Sequence, residues 1–216
     1  VLAEGHDLVI KTAAELSNLS RDLLAGTDQQ LLRKCPSTVW LRRASRPERP
    51  RVVLAAVDVE MESSDEPETE AALNRRIVDQ AGAIAAWAGA QLHLATVWDS
   101  PTESIVRAWS SQSGSGSYSR ELENRLWRRL DDLANDSAEP AAQNASCHVE
   151  HGSTHQILPN MAHRLGANLL VMGTVARTGI SGVLIGNTAE DILNSVELPL
   201  VAVKPPGYVS PVQPAR

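Results

Sequence analysis

Residues 172–193 read MGTVARTGISGVLIGNTAEDIL: an aliphatic strand end, glycines at 173, 179, 182 and 186, then a segment with helical spacing. A glycine-bearing loop between a strand and a helix lets backbone N–H groups approach a phosphate, and the helix dipole adds to the attraction. Asn187 or Thr188 can cap that helix or donate a hydrogen bond to a phosphate oxygen. The same glycines also serve an ordinary crossover loop, so composition leaves both readings open. The spacing is neither GxGxxG nor GK[ST], which excludes the Rossmann dehydrogenase and P-loop NTPase readings.

Working outward, four short aliphatic runs read as buried strands: 51–57 (RVVLAAV), 91–98 (QLHLATVW), 169–172 (LLVM) and 200–203 (LVAV), with 146–150 (SCHVE) a weaker fifth. Helical spacing lies between them. Residues 71–88 place Leu73, Ile77, Ile84 and Trp87 on one stripe, and 119–133 carry Leu122, Leu126, Leu130 and Leu133. Residues 154–165 and 188–196 are shorter helix candidates. The alternation predicts an α/β protein with a doubly wound, five-stranded parallel sheet and right-handed crossovers. Three stretches read as loops: acidic 60–70 (EMESSDEPETE, with Pro67), Ser-rich 110–119, and 42–50 (RRASRPERP), a linker stiffened by prolines.

The chain also repeats itself. At a shift of 161 (168 − 7), Asp7-Leu8-Val9-Ile10 overlies Asn168-Leu169-Leu170-Val171, Leu31-Leu32 meets Ile192-Leu193, and Val39-Trp40-Leu41 meets Leu200-Val201-Ala202. The reading is therefore a C-terminal portion of a first domain plus linker at 1–46, a complete domain at 47–208, and a tail at 209–216. A fragment of that size cannot close a sheet alone, so residues 38–41 are expected beside 200–203, shielding both strand edges. The chain opens in mid-pattern with VLAEGHDLVIKT and is expected to continue upstream. In the first copy Lys11, Thr12 and Ala25 stand where the second has Met172, Gly173 and Gly186, so no phosphate site is expected there.

The 172–193 stretch resembles the signature of the universal stress protein family: Gly, two residues, Gly, nine residues, Gly, then Ser or Thr. The matching positions are Gly173, Ala176, Gly186 and Asn187. Ala56-Val57-Asp58, Leu73-Asn74, Thr96-Val97-Trp98-Asp99 and Leu198-Pro199-Leu200-Val201-Ala202-Val203 also fit, and GTVARTGISGVLIGNTAE and LLRKCP resemble the tandem-domain, E-type members. The resemblance implies the adenine nucleotide alpha hydrolase-like fold and a stress-response regulator binding ATP or a related nucleotide, with Mg²⁺. It places the nucleotide against Val57, Asp58, Val97, Gly173, Thr174, Arg177, Gly186, Asn187 and Thr188. The first-strand Asp faces the nucleoside, the second-strand Val faces adenine, and the glycine stretch holds ribose and phosphates. It also implies pairing with a second such domain, internal or in a homodimer. Two positions depart: Ala176 adds a methyl where backbone should approach the ligand, and Asn187 replaces a hydroxyl with an amide. The rival readings are an interaction module that has lost ATP binding, a slow ATPase, and a binder of a larger nucleotide-containing ligand.

The remaining features narrow the class. A net charge of −6 over 216 residues argues against a nucleic-acid partner, and no run reaches membrane-spanning length. Two cysteines, Cys35 and Cys147, form no CxxC pair and suit a reduced, cytoplasmic setting. Cys147, His148, His151, His155 and His163 lack recognised ligand spacing, and in a strand Cys147 and His148 face opposite ways, so no metal site is assigned. Asp58 has no partner base or nucleophile in any motif, so no catalytic residue is assigned. Trp87, Trp98, Trp109 and Trp127 read as packing residues, with Trp98 singled out at a strand end where α/β proteins bind ligands. Arg125, Arg128 and Arg129 read as a solvated helix face.

Overall fold

The computed structural model describes residues 5–13, 26–46, 49–60, 66–99, 115–174, 192 and 198–212. The elements, in chain order, are β1 (Leu8–Thr12), α1 (Gly26–Lys34), β2 (Thr38–Arg42), β3 (Val52–Ala56), α2 (Pro67–Ala88), β4 (Gln91–Trp98), α3 (Ser115–Asn135), α4 (Pro140–Gln143), β5 (Ser146–His151), α5 (Thr154–Leu165), β6 (Leu169–Gly173) and β7 (Leu200–Val203). All seven strands join one sheet in the order β1-β2-β7-β6-β3-β4-β5.

From β7 to β5 the five strands run parallel, as the aliphatic runs predict. Both faces of this sheet are covered, which is why its strands are apolar on both sides. One face buries Val53, Ala55, Leu94, Val171 and Val201 against Ile77, Val78 and Ala81 of α2 and Leu122, Leu126 and Leu130 of α3. The other buries Leu54, Leu170, Leu200 and Ala202 against Leu158 and Met161 of α5, Leu32 of α1, and Ile192.

The N-terminal unit β1-α1-β2 extends this sheet with a change of direction. β1 and β2 are parallel, but β2 meets β7 antiparallel through Val39↔Ala202, Trp40↔Val201 and Leu41↔Leu200. The expected neighbours are thus hydrogen-bonded partners. The repeat carries into geometry: adding 161 to β1 (8–12) gives 169–173, the bounds of β6. The two parallel pairs also keep one register offset of 30, Leu8↔Thr38 and Leu170↔Leu200. At the same shift Trp40 corresponds to Val201 and Val39 to Leu200. The register is therefore symmetric about the Trp40–Val201 pair, so a local two-fold axis passes between these two residues.

Several sequence expectations need correction. Residues 67–70 are not loop: α2 starts at Pro67, because proline at the first helical position gives up only an N–H that has no partner there anyway. The helix stops at Gly89, whose φ of 66° is the left-handed cap conformation. Its buried stripe runs through Asn74, Ile77, Val78, Ala81 and Ala85, which turns Trp87 outward at 53% exposure. Trp127 is likewise exposed. α3 begins at Ser115, inside the stretch read as a loop, since the Leu122-Leu126-Leu130 stripe carries the helix back into it. Arg129 is half-buried and donates to the Val59 carbonyl at 3.1 Å, so it does not belong to a solvated face. Trp109 and most of the 188–196 helix fall outside the described residues.

Candidate functional site

Within the five parallel strands the chain adds β4 and β5 on one side of β3, then crosses to place β6 and β7 on the other. The strand order therefore reverses at β3, and in such sheets ligands bind beyond the carboxyl ends of the strands at this switch point. Ala56 is in register with both Ala95 of β4 and Met172 of β6, so three strand ends open side by side. Val57-Asp58, Val97-Trp98 and Gly173-Thr174 meet there.

Asp58 is held by its backbone. Its N–H donates to Asn74 Oδ1 at 3.1 Å, and Asn74 Nδ2 donates back to the Asp58 carbonyl at 2.5 Å. Asn74 itself is buried on α2, so a two-point clamp fixes the turn after β3. The Asp58 carboxylate accepts the Glu60 N–H at 3.2 Å, closing a local turn and leaving its side chain half-buried. Val97 is half-buried on the sheet face that carries α5, while Val57 is buried on the opposite face.

Gly173 sits close under the Leu73 side chain of α2. A Cβ there would stand 2.9 Å from Leu73 Cδ2, closer than carbon atoms approach. Thr174 is fully buried, and its hydroxyl accepts from Lys204 Nζ at 2.7 Å. Of the expected set the structure places Asp58, Val97, Gly173 and Thr174 at neighbouring strand ends, whereas Val57, on the opposite face, is buried in the core against α2. Ala176, Arg177, Gly186, Asn187 and Thr188 lie outside the described residues. At the same rim Trp98 is buried with its indole N–H unpartnered, its ring centroid 4.3 Å from that of His151.

Two features escaped the sequence. Lys204 is one: a lysine following an aliphatic strand gives no sign that it is 1% exposed. The other is a histidine pair, with His93 Nδ1 3.0 Å from His148 Nε2. Only the β4–β5 register, which sets Ala95 opposite His148, brings the two rings together. Burial lowers the pKa of each ring. For His148 the nearby His93 and Arg164 act in the same direction and Glu150 opposes them. Glu150 is itself ion-paired with Arg164. Among the described residues no group of three or more His, Cys, Asp or Glu side chains converges as a metal site would. No helix among them is long and apolar enough to cross a membrane.

The parallel strands and the reversal of strand order at β3 define a doubly wound α/β protein. Residues 51–204 match the model of the Universal stress protein family, and the chain belongs to that family. It is 32% identical over 216 residues to Universal stress protein E of Escherichia coli strain K12, covering 99% of this chain and 65% of the relative. The Universal stress protein E homolog of Haemophilus influenzae is 30% identical, over 93% of this chain and 62% of that protein. A crystal structure described as a universal stress protein from Pseudomonas aeruginosa aligns with a TM-score of 0.68 at 32% identity, covering 94% of this chain and 65% of that one. The chain thus spans about two thirds of the length of these relatives, at 62–65%.

Proposed function

We propose that the cleft at the ends of β3, β4 and β6 binds an adenine nucleotide or a related nucleotide, and that the protein acts as a cytoplasmic stress-response regulator with no fast turnover. The observation that carries this reading is the convergence of Asp58, Val97 and Gly173-Thr174 at the switch point, with Asp58 clamped by Asn74. In this reading Asp58 meets the nucleoside and Val97 meets the base. Arg177, Gly186, Asn187 and Thr188 hold the phosphates, with Mg²⁺ as their counter-ion. Native mass spectrometry of the purified protein, followed by denaturation to release bound small molecules, tests it. A near-stoichiometric nucleotide that disappears in Gly186→Val supports the reading. An empty protein that shows no thermal shift with millimolar ATP and Mg²⁺ overturns it. A slow ATPase would add Mg²⁺-dependent phosphate release that Asp58→Ala abolishes.

The second reading is an interaction module that has lost the nucleotide. Ala176 and the buried, Lys204-bonded hydroxyl of Thr174 favour it.

The N-terminal unit is in this proposal the last third of a first domain in a tandem pair.

A further inference from the structure

Lys204, the first residue after β7, is 1% exposed, which ordinarily costs an ammonium group several kcal/mol unless its donors are satisfied. Its Nζ donates to Thr174 Oγ1 at 2.7 Å and to the Leu32 carbonyl at 2.5 Å, and lies 4.8 Å from the centroid of the Tyr208 ring. Burial lowers its pKa to about 8, with Cys35 opposing, so the group is mainly protonated at neutral pH. Its two oxygen partners belong to different units. Thr174 closes β6 at the cleft, whereas Leu32 lies in the last turn of α1.

The contact is part of a longer strap. The carbonyls of Leu32, Arg33 and Lys34 lie in the last turn of α1, where helix carbonyls lack intrahelical donors. They accept in turn from Lys204 Nζ, Tyr208 Oη (2.5 Å) and Ser210 Oγ (2.7 Å). A cation at a helix C-terminus also meets the negative end of the dipole. The second unit's tail thus completes a helix of the first, and the same lysine reaches back to Thr174 just after β6.

We infer that Lys204 is a positioning residue for the cleft, holding the Gly173-Thr174 end of β6 against α1 so that ligand affinity there depends on the docked N-terminal unit. The inference rests on the nucleotide reading for its ligand and on the three contacts for its mechanism. An unpaired Thr174 would lose the charge-assisted bond that sets its rotamer, and small displacements of binding groups weaken binding steeply.

The test uses MgATP titrations by calorimetry together with amide hydrogen exchange of the nucleotide-free protein, in Lys204→Met, Lys204→Arg and Thr174→Val. Lys204→Met is expected to weaken MgATP about tenfold and to speed exchange both at Thr174 and in the last turn of α1. Lys204→Arg is expected to restore both. An arginine is the natural occupant of the matched position in the other unit, Arg43 (43 + 161 = 204). Thr174→Val should weaken binding comparably and show no further loss when combined with Lys204→Met. If MgATP binds the wild type and Lys204→Met leaves affinity and exchange unchanged, the inference fails. If MgATP does not bind the wild type, the nucleotide reading fails. Exchange then decides alone: faster exchange at both ends, rescued by arginine, supports the positioning role, and an unchanged Thr174 amide overturns it.

Discussion

Residues 8–42 and 169–203 each carry a parallel strand pair, with β1 and β6 matching in bounds at a shift of 161 and with equal register offsets, yet the two pairs have opposite surroundings. β6 is sandwiched between β3 and β7 and buried on both faces, whereas β1 forms the rim of the sheet with Leu8 at 43% and Ile10 at 57% exposure. Chemistry differs along with cover. Gly173 lets α2 pack down onto the strand end, and Thr12 at the matched position is exposed. Met172 is core, and its counterpart Lys11 reaches across to Asp28 of α1 at 2.5 Å. The matched strand thus lies between two neighbours in one copy and at the edge of the sheet in the other. Neighbours, more than local sequence, decide how far each is covered.

Matched substitutions break the comparison most directly. Leu170→Asp places a carboxylate in the covered strand and is expected to cost more than about 4 kcal/mol in urea unfolding. Val9→Asp, at the matched position in β1, is expected to cost about 1 kcal/mol, because Val9 is only half-buried. Equal losses would mean that the two strands are equally covered.

The next test is a titration. Lys204 has a pKa near 8 in the fold against 10.5 ordinarily, whereas a guanidinium put in its place would not titrate in this range. A lysine depressed in the fold binds fewer protons there than in the unfolded chain, so unfolding free energy rises with pH between about 8 and 10.5. The gain is on the order of 3 kcal/mol at most, and Lys204→Arg should abolish it. Urea midpoints at pH 7.5, 8.5 and 9.5 give the slope. A slope that persists in the arginine variant assigns it to another group.

Gly173→Val should cost about 2 kcal/mol through overpacking against Leu73, while Thr12→Val stays within about 0.5 kcal/mol. The smallest effect belongs to the far side of the sheet, where His93 and His148 lie on β4 and β5. Both rings sit below the ordinary value of 6.5, so their share of stability is present above that pH and drains as the pH falls through it. His148→Gln should lose less stability than wild type between pH 7.5 and 5.5 in the same assay. An unchanged loss would place the sensitivity elsewhere.

Much of this frame was legible in the residues. QLHLATVW and LVAV are continuous aliphatic runs with polar borders, so β4 and β7 lie where the runs do. The repeat also foretold the seam, because a strand–helix–strand fragment needs an edge to join. What failed depended on context. Pro67 looks like a breaker unless it is known to stand at a helix start. Trp87 looks like core until α2 settles with its small residues inward. The Asn74 clamp on Asp58 joins residues 16 apart, and nothing in the loop between them signals it. Lys204 and Leu32 are 172 residues apart, and no local pattern announces that a lysine will be buried against a distant carbonyl.

The two-fold at Trp40–Val201 has a consequence for concentration. An edge that pairs with its own duplicate can be satisfied equally well by a separate molecule, and pairing of that sort weakens on dilution. Here β2 is tied to the five-stranded sheet that carries β7 by the nine residues between Arg42 and Val52 of β3. A tether of that length sets an effective local concentration on the order of millimolar. What would be a bimolecular encounter thus becomes a unimolecular closure, and the seam holds in a cell however scarce the protein becomes.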